Sequence, residues 1–511
     1  IDAGHGGNDE ITTGDGDDIV IGGEDGELVV DSEIAGSTDV ARRVVADLTD
    51  GDTIDAGGGR NLVFGDAGDI TASAGTTRFL GGLPISLGLV TSVGSLIGGS
   101  DEIDTGSGDD IVIGGIDADR IWAQGGDNIV LGDSGSIDWA AAERGGTLAG
   151  DDLDASDIDR IVTLDPSHGG NDDVAVAGGD DIVILGEDGE LVVDASIDGS
   201  TAVARHVVAD ATDGDSLLDG GGRNLVFGDA GDIYAAAAST SRFGALPITL
   251  GLVTSVGSLI GGSDSITTLG GDDIVIGGID ADYIHAGHGN NIVLGDSGSI
   301  DWAAAERGGA LAGDDDDASD IDRIWTIDAS HGGNDLIRTG AGTDIVIGGE
   351  DGELVVGIEI AGSGAPEVVV ADTTDGDDIS TDFGHDLVFG DAGSISASAE
   401  TTSRFGSLPI TLGLATSVGS LIGGSDRILT SLGDDIVIGG IDADVIDAGE
   451  GHNIVLGDSG LIDWAARERG GLLAGDDANA GDIDRLWTLD PSHGGNDVIT
   501  TGAGDDVVIA G

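Results

Sequence analysis

Thr105-Gly106-Ser107-Gly108-Asp109-Asp110-Ile111-Val112-Ile113 is the stretch on which the fold turns. Asp101 stands nine residues before Asp110, Asp119 follows nine after it and Asn128 nine after that, while Ile103, Val112, Ile121 and Val130 trail them at a constant offset of two. The same register opens the chain, with Asp9, Asp18 and Glu27 followed by Ile11, Val20 and Val29. A strand this short cannot bury its apolar side chain alone, so a nine-residue period implies coils that stack on one another. Glycines supply the turns between strands.

Working outward, His5-Gly6-Gly7-Asn8-Asp9 returns at His168, His331 and His493, spacings of 163, 163 and 162 residues. The expected organisation is one continuous solenoid, a slice of a longer array: copy 1 at residues 1–167, copy 2 at 168–330, copy 3 at 331–492, and the start of a fourth copy at 493–511. Gly-Asp-Asp-Ile-Val-Ile or a close variant occurs twice per copy, so each copy is a diverged pair. Three kinds of insert interrupt the repeats, near residues 31 to 50, 70 to 95 and 134 to 157 in the first copy. Residues 40–47 suit either a strand or a short helix, whereas Ile137 to Arg144 followed by Gly145 reads as a short helix with a glycine stop.

Composition narrows the chemistry. Of 511 residues 97 are Gly and only 3% are aromatic, so large side chains cannot be what fills an ordinary core. Acidic residues number 98 against 18 basic ones, all Arg, for a formal charge of −80. Such repulsion opposes compaction, yet 39% hydrophobic content in recurrent Ile/Val clusters is not that of a disordered chain. A halophile's acidic surface would scatter its carboxylates, and here they keep register. A polyanion excludes nucleic acid as partner. There is no Cys, hence neither disulfide nor thiolate metal site, and no apolar run reaches membrane-spanning length. Oxygen-only ligands on a glycine-rich backbone favour a hard cation such as calcium, bound many times over and coupled to folding.

Gly22-Gly23-Glu24-Asp25-Gly26-Glu27-Leu28-Val29-Val30 and Thr105 to Ile113 resemble the RTX, or haemolysin-type, nonapeptide. The resemblance implies an all-β fold, a parallel β-solenoid of the β-roll or β-helix kind built from Gly/Asp-rich nonapeptides with short mixed inserts. It also implies that the Asp two residues before the inward apolar side chain binds Ca2+ together with turn carbonyls of an adjacent coil. Carried over by position, this nominates Asp9, Asp18, Asp101, Asp110, Asp119, Asp172, Asp181, Asp264, Asp273, Asp282, Asp335, Asp344, Asp426, Asp435, Asp444, Asp497 and Asp506 as metal ligands, together with Asp52, Asp215 and Asp377, whose repeats match less closely. Glu27 and Asn128 put other side chains at that position, which places sites there in doubt.

In Ile19-Val20-Ile21 and its equivalents both strand faces are apolar, where RTX units more often carry polar outer residues. The outer face therefore needs a cover. The apolar inserts around Pro84, Pro247 and Pro409 are the candidates, folded back as an intramolecular lid or used as a seam for self-association between chains. Gly132-Asp133-Ser134-Gly135 resembles the nucleophile segment of trypsin-like proteases, but it continues the strand Ile129-Val130-Leu131 and reads as a turn; the histidines form no His-Glu-x-x-His pattern. No catalytic residue and no enzyme activity is expected. The leading expectation is an extracellular or cell-surface bacterial protein, structural or adhesive, rigidified by calcium and assembling into a fibre or surface layer. The rival is the calcium-dependent folding tail of a secreted RTX toxin or enzyme whose catalytic domain lies outside this segment. Either way the resemblance implies type I secretion, with the export signal beyond residue 511.

Overall fold

The computed structural model describes residues 6–23, 27–31, 41–45, 51–74, 80–93, 98–144, 156–164, 169–187, 190–194, 204–208, 214–237, 242–256, 261–304, 319–327, 332–350, 352–355, 368–371, 376–399, 404–418, 423–466, 481–489 and 494–511. Among these the chain winds through 13 coils, each giving one strand to each of two 13-stranded parallel sheets. The third coil shows the plan: Glu102–Gly106 in the first sheet, a glycine turn, then Ile111–Gly115 in the second. Neighbouring coils pair in register, as Ile111, Val112 and Ile113 do with Leu62, Val63 and Phe64 on one side and with Ile129, Val130 and Leu131 on the other. The architecture is the parallel β-roll solenoid that the nine-residue period requires.

Strand alternation divides the apolar residues into two cores. Val20, Val63, Val112 and Val130 point between the two parallel sheets to meet Ile54, Ile103 and Ile121, all nearly inaccessible to solvent. Leu62, Phe64, Ile111, Ile113, Ile129 and Leu131 point the other way, and they too are buried. What buries them is a third sheet of 12 antiparallel strands built from the inserts. Its strands follow chain order, beginning with Gly68–Ala72, Leu87–Ser92, Gly135–Asp138 and Arg160–Thr163 and repeating in each copy. Val90, Ile137 and Ile161 seal the core from this side. Close approach explains its glycines: a Cβ at Gly68, Gly231 or Gly393 would strike the ring of Phe64, Phe227 or Phe389.

The apolar insert at Pro84 is thus an intramolecular cover, with Leu87 and Val90 buried beneath it. Pro247 and Pro409 help fasten the equivalent inserts, their carbonyls accepting the N–H groups of Ile158 and Ile321 at 2.6 Å. The insert at 134 to 157 also enters the cover. Its expected helix is instead the strand Gly135–Asp138 followed by a single 3-10 turn, Ala141–Arg144. Pairing on both sides, with Leu87–Ser92 and with Arg160–Thr163, overrides the alanine-rich helical signal. Trp139, Trp302 and Trp464 pack into this cover core.

One reading of the register is corrected. Glu27 does not continue the nonapeptide series; Glu27–Asp31 leaves the coil and pairs antiparallel with Ala41–Val45, so residues 40–47 hold a strand. The next coil strand of the first sheet is Thr53–Asp55. A nearby complementary strand in an insert captures Glu27–Asp31 before a third nonapeptide can form.

Candidate metal-binding edges

Every coil crosses from one sheet to the other at two edges, and an acidic ladder runs along each. At the first edge, leading into the first sheet, the backbone N–H of each rung donates to Oδ1 of the next, at 2.6 to 3.2 Å. The rungs are Asp9, Asp52, Asp101, Asp119, Asp172, Asp215, Asp264, Asp282, Asp335, Asp377, Asp426, Asp444 and Asp497. All are aspartates, and Asp52, Asp215 and Asp377 are full members of the series. Sequence separations between rungs run 43, 49, 18 and 53 residues and then recur, with 42 in place of 43 between Asp335 and Asp377, 18 being one bare coil and the larger values a coil plus an insert.

At the second edge the rungs alternate. Asp18, Asn61, Asp110, Asn128, Asp181, Asn224, Asp273, Asn291, Asp344, Asp386, Asp435, Asn453 and Asp506 are linked in the same way at 2.7 to 3.1 Å. Asn128 is therefore a regular rung of this ladder. Asp386, Asn61, Asn224, Asn291 and Asn453 were not singled out from the sequence, although the signal existed: Asn61 stands nine residues after Asp52 and Asp386 nine after Asp377.

Each rung spends Oδ1 on a backbone N–H, which leaves Oδ2. On the first edge, Oδ2 of Asp52, Asp119, Asp282, Asp335, Asp426 and Asp444 is buried with no hydrogen-bond partner. These oxygens lie beside carbonyls of the turn glycines. A Cβ added at Gly114 would fall against both Asp119 Oδ2 and Gly132 O, one at Gly295 against Asp335 Oδ2 and Gly348 O, and one at Gly439 against Asp444 Oδ2 and Gly457 O. A carboxylate oxygen facing a carbonyl oxygen in a space that only glycine leaves open is a fit for a hard cation. Among the described residues no three His, Cys, Asp or Glu side chains converge as a metal site, so such an ion needs backbone carbonyls for most of its shell. The second edge is tighter. There glycines stack on glycine carbonyls, as Gly108 does on Gly59 O and Gly271 on Gly222 O, and Thr268 Oγ1 donates to Asp273 Oδ2 at 2.8 Å.

Burial raises the carboxyl pKa values of many of the interior rungs. On the second edge it lifts Asp110 and Asp386 to about 6 and Asp181, Asp273, Asp344 and Asp435 to about 7. On the first, burial lifts Asp335 to about 8, and burial with the added charge of Asp426 lifts Asp444 to about 9. Asp119 and Asp282 are raised well above the ordinary value by burial and then by the aspartates on either side. Without a counter-ion the raised values favour the protonated form, most strongly at Asp335 and Asp444; a divalent cation can displace such protons.

A further acidic row went unread as chemistry. Asp66, Asp133, Asp229, Asp296, Asp391 and Asp458 lie on the first edge where the chain leaves the second sheet, and Asp133 belongs to the Gly-Asp-Ser-Gly turn that begins the cover. Ser134 anchors that turn, its carbonyl accepting the N–H of Leu164 at 2.8 Å. His5, His168, His331 and His493 lie outside the described residues.

The RTX calcium-binding nonapeptide repeat pattern matches residues 3–26, 98–136, 261–299, 331–352, 422–460 and 493–511, and no curated protein matches the chain. Both ladders continue unbroken through coils outside those blocks, including Asp52 with Asn61, Asp215 with Asn224, and Asp377 with Asp386. The pattern of RTX calcium-binding nonapeptide repeats is therefore present in six blocks of the chain, and the same coil geometry runs between them.

Proposed function

We propose that this chain is an extracellular structural rod of a bacterial cell surface or fibre, stiffened by calcium ions held between its coils, and that it performs no catalysis. The observation that carries the reading is the uninterrupted first-edge ladder, whose buried Oδ2 atoms face glycine carbonyls coil after coil. Asp9, Asp52, Asp101, Asp119, Asp172, Asp215, Asp264, Asp282, Asp335, Asp377, Asp426, Asp444 and Asp497 would bind calcium there, with Asp18, Asp110, Asp181, Asp273, Asp344, Asp435 and Asp506 as weaker ligands on the Asn-diluted second edge. Calcium supplies double positive charge and a loose demand for oxygen ligands; the chain supplies carboxylates, carbonyls and a spacing fixed by strand pairing.

Export follows from the same physics. Cytosolic calcium is scarce, so a chain whose compact state needs neutralisation stays extended inside and folds outside, which suits type I secretion. Near-identical copies add length without changing cross-section, as a fibre or surface layer requires. Self-association would then use the cover's outer face or the coil ends, because the apolar side of the inserts is already buried. The test is circular dichroism with calcium, with chelator, and with magnesium in place of calcium. At one fixed, neutral pH, strand signal that rises with calcium and not with magnesium supports the reading, and a spectrum unchanged by chelation overturns it.

A further inference from the structure

The third acidic row follows a rule that the nonapeptide pattern does not contain. At the second position of the first-edge turn, successive coils carry Gly23, Asp66, Gly115, Asp133, Gly186, Asp229, Gly278, Asp296, Gly349, Asp391, Gly440, Asp458 and Gly511, a strict alternation of glycine and aspartate. The coils with Asp here are those with Asn on the second edge, Asp391 alone sharing its coil with a second-edge aspartate, Asp386. Every second coil thus adds a carboxylate to the first edge, and all of them but the Asp391 coil give one up on the second. It is also from these coils that the cover strands depart, as Gly68–Ala72 does after Asp66 and Gly135–Asp138 after Asp133.

The transferred carboxylates point into the first edge. A Cβ on Gly115, Gly278 or Gly440 would fall against Oδ2 of Asp66, Asp229 or Asp391, so the glycine of the next coil is what admits the side chain. The same oxygen accepts the N–H of Ile116, Ile279 or Ile441 at 2.6 to 2.9 Å. Three row members demonstrably lie in the field of the ladder: Asp66 acts on Asp119, Asp229 on Asp282, and Asp458 on Asp444. Asp119, Asp282 and Asp444 are themselves at most 3% exposed, with Oδ2 bonded to nothing. Adding like charge beside a buried carboxylate is costly unless a cation arrives with it.

We propose that Asp66, Asp133, Asp229, Asp296, Asp391 and Asp458 are additional divalent-cation ligands, which turn every second gap of the first edge into a two-carboxylate site and tie the root of the cover sheet to the bound ion. This rests on the calcium reading above and deepens it. The second edge, stripped of charge by Asn in the same coils, is then the weaker cation binder. The roll has a strong side and a weak side, and the cover is fastened at the strong one.

A turn cap without metal is the competing role, and Asn separates the two because its amide oxygen still accepts the N–H of the next coil. The test is the triple variant Asp66→Asn, Asp229→Asn, Asp391→Asn against the unaltered chain and against the exposed Glu102→Gln. Bound calcium is counted by native mass spectrometry and titrated calorimetrically, and cover protection is followed by hydrogen exchange over residues 87–92. We expect about tenfold weaker binding for a subset of the ions and faster exchange in the cover at limiting calcium, with Glu102→Gln unchanged. Equal stoichiometry, affinity and cover protection in the triple variant would leave only the capping role and overturn the proposal. Should the triple variant fold poorly, Asp66→Asn alone, in one copy of three, is read the same way. An unaltered chain that bound no calcium would instead defeat the broader reading of the ladders.

Discussion

Replacing a single rung, Asp335→Asn, should act with opposite sign in the presence and absence of calcium. Asp335 Oδ1 accepts the N–H of Asp282 at 2.8 Å, and an Asn oxygen can do the same, as Asn61 and Asn128 do on the other edge. Its Oδ2 is buried beside Gly348 O with no donor. Burial lifts the carboxyl from 3.8 to about 8, so at pH 7 a chain without metal must take up a proton to fold here. That uptake costs on the order of 4 kcal/mol. Asn takes up no proton and can point an N–H at the Gly348 carbonyl, so in chelator the variant gains up to roughly that amount locally. In calcium the variant loses a charged ligand, and about 1.4 kcal/mol accompanies each tenfold fall in affinity. Because a solenoid opens locally, the assay is hydrogen exchange at the Asp282 and Asp335 amides in place of a global melt. Protection should rise in chelator and fall in calcium. A variant that loses protection in both would show that the carboxylate is an ordinary structural acceptor and that no ion sits there.

The chelated chain should also respond to acid. Interior ladder carboxyls from Asp110 to Asp444 are raised by burial to about 6 to 9 against 3.8, so the fold binds extra protons between those limits. Their contribution is full below about pH 4 and is lost as pH rises toward 9, so metal-free strand signal should be stronger at pH 5 than at pH 8.5, and the reverse order would contradict the burial. Phe227→Ala empties the seat of a ring that is 1% exposed under the cover. It should cost about 3 to 5 kcal/mol and release the strand Leu250–Ser255 to proteolysis before the parallel sheets are cut. Gly108→Ala places a Cβ against Gly59 O at a φ of 148°, and should break strand signal around the third coil even in saturating calcium.

What the sequence discloses and what it hides follow from how local each determinant is. The coil is legible because one side chain per nine residues must point inward, and Ile103, Val112, Ile121 and Val130 state that directly. The need for a cover is legible as well, from Ile111 and Ile113 on the wrong face. That the cover would be a sheet and not a packed loop is harder to see, since Gly135–Asp138 pairs far back along the chain with Leu87–Ser92, Ile137 lying opposite Val90. Asn61 is harder to read because its one local signal is the nine-residue step from Asp52, while its ladder neighbours Asp18 and Asp110 stand 43 and 49 residues away. Glu27 misled because register alone cannot report a competing strand at Ala41–Val45.

The long period has its own cause in the match between two sheets. Strands in any sheet stand about 4.8 Å apart, so a cover that keeps pace with a solenoid must supply one strand per coil. An insert that leaves and returns on the same edge contributes its strands in pairs, so only every second coil can launch one. Asp66 and Asp133 mark those coils, each followed by two cover strands. Two kinds of paired insert, one bare coil and one coil with the hairpin of Glu27–Asp31 and Ala41–Val45 make four coils beneath four cover strands. That is the smallest unit in which both registers close with this set of inserts. A single inserted or deleted coil would leave the cover one strand out of step with the side chains it seals, whereas a whole 163-residue copy can be added at no mismatch.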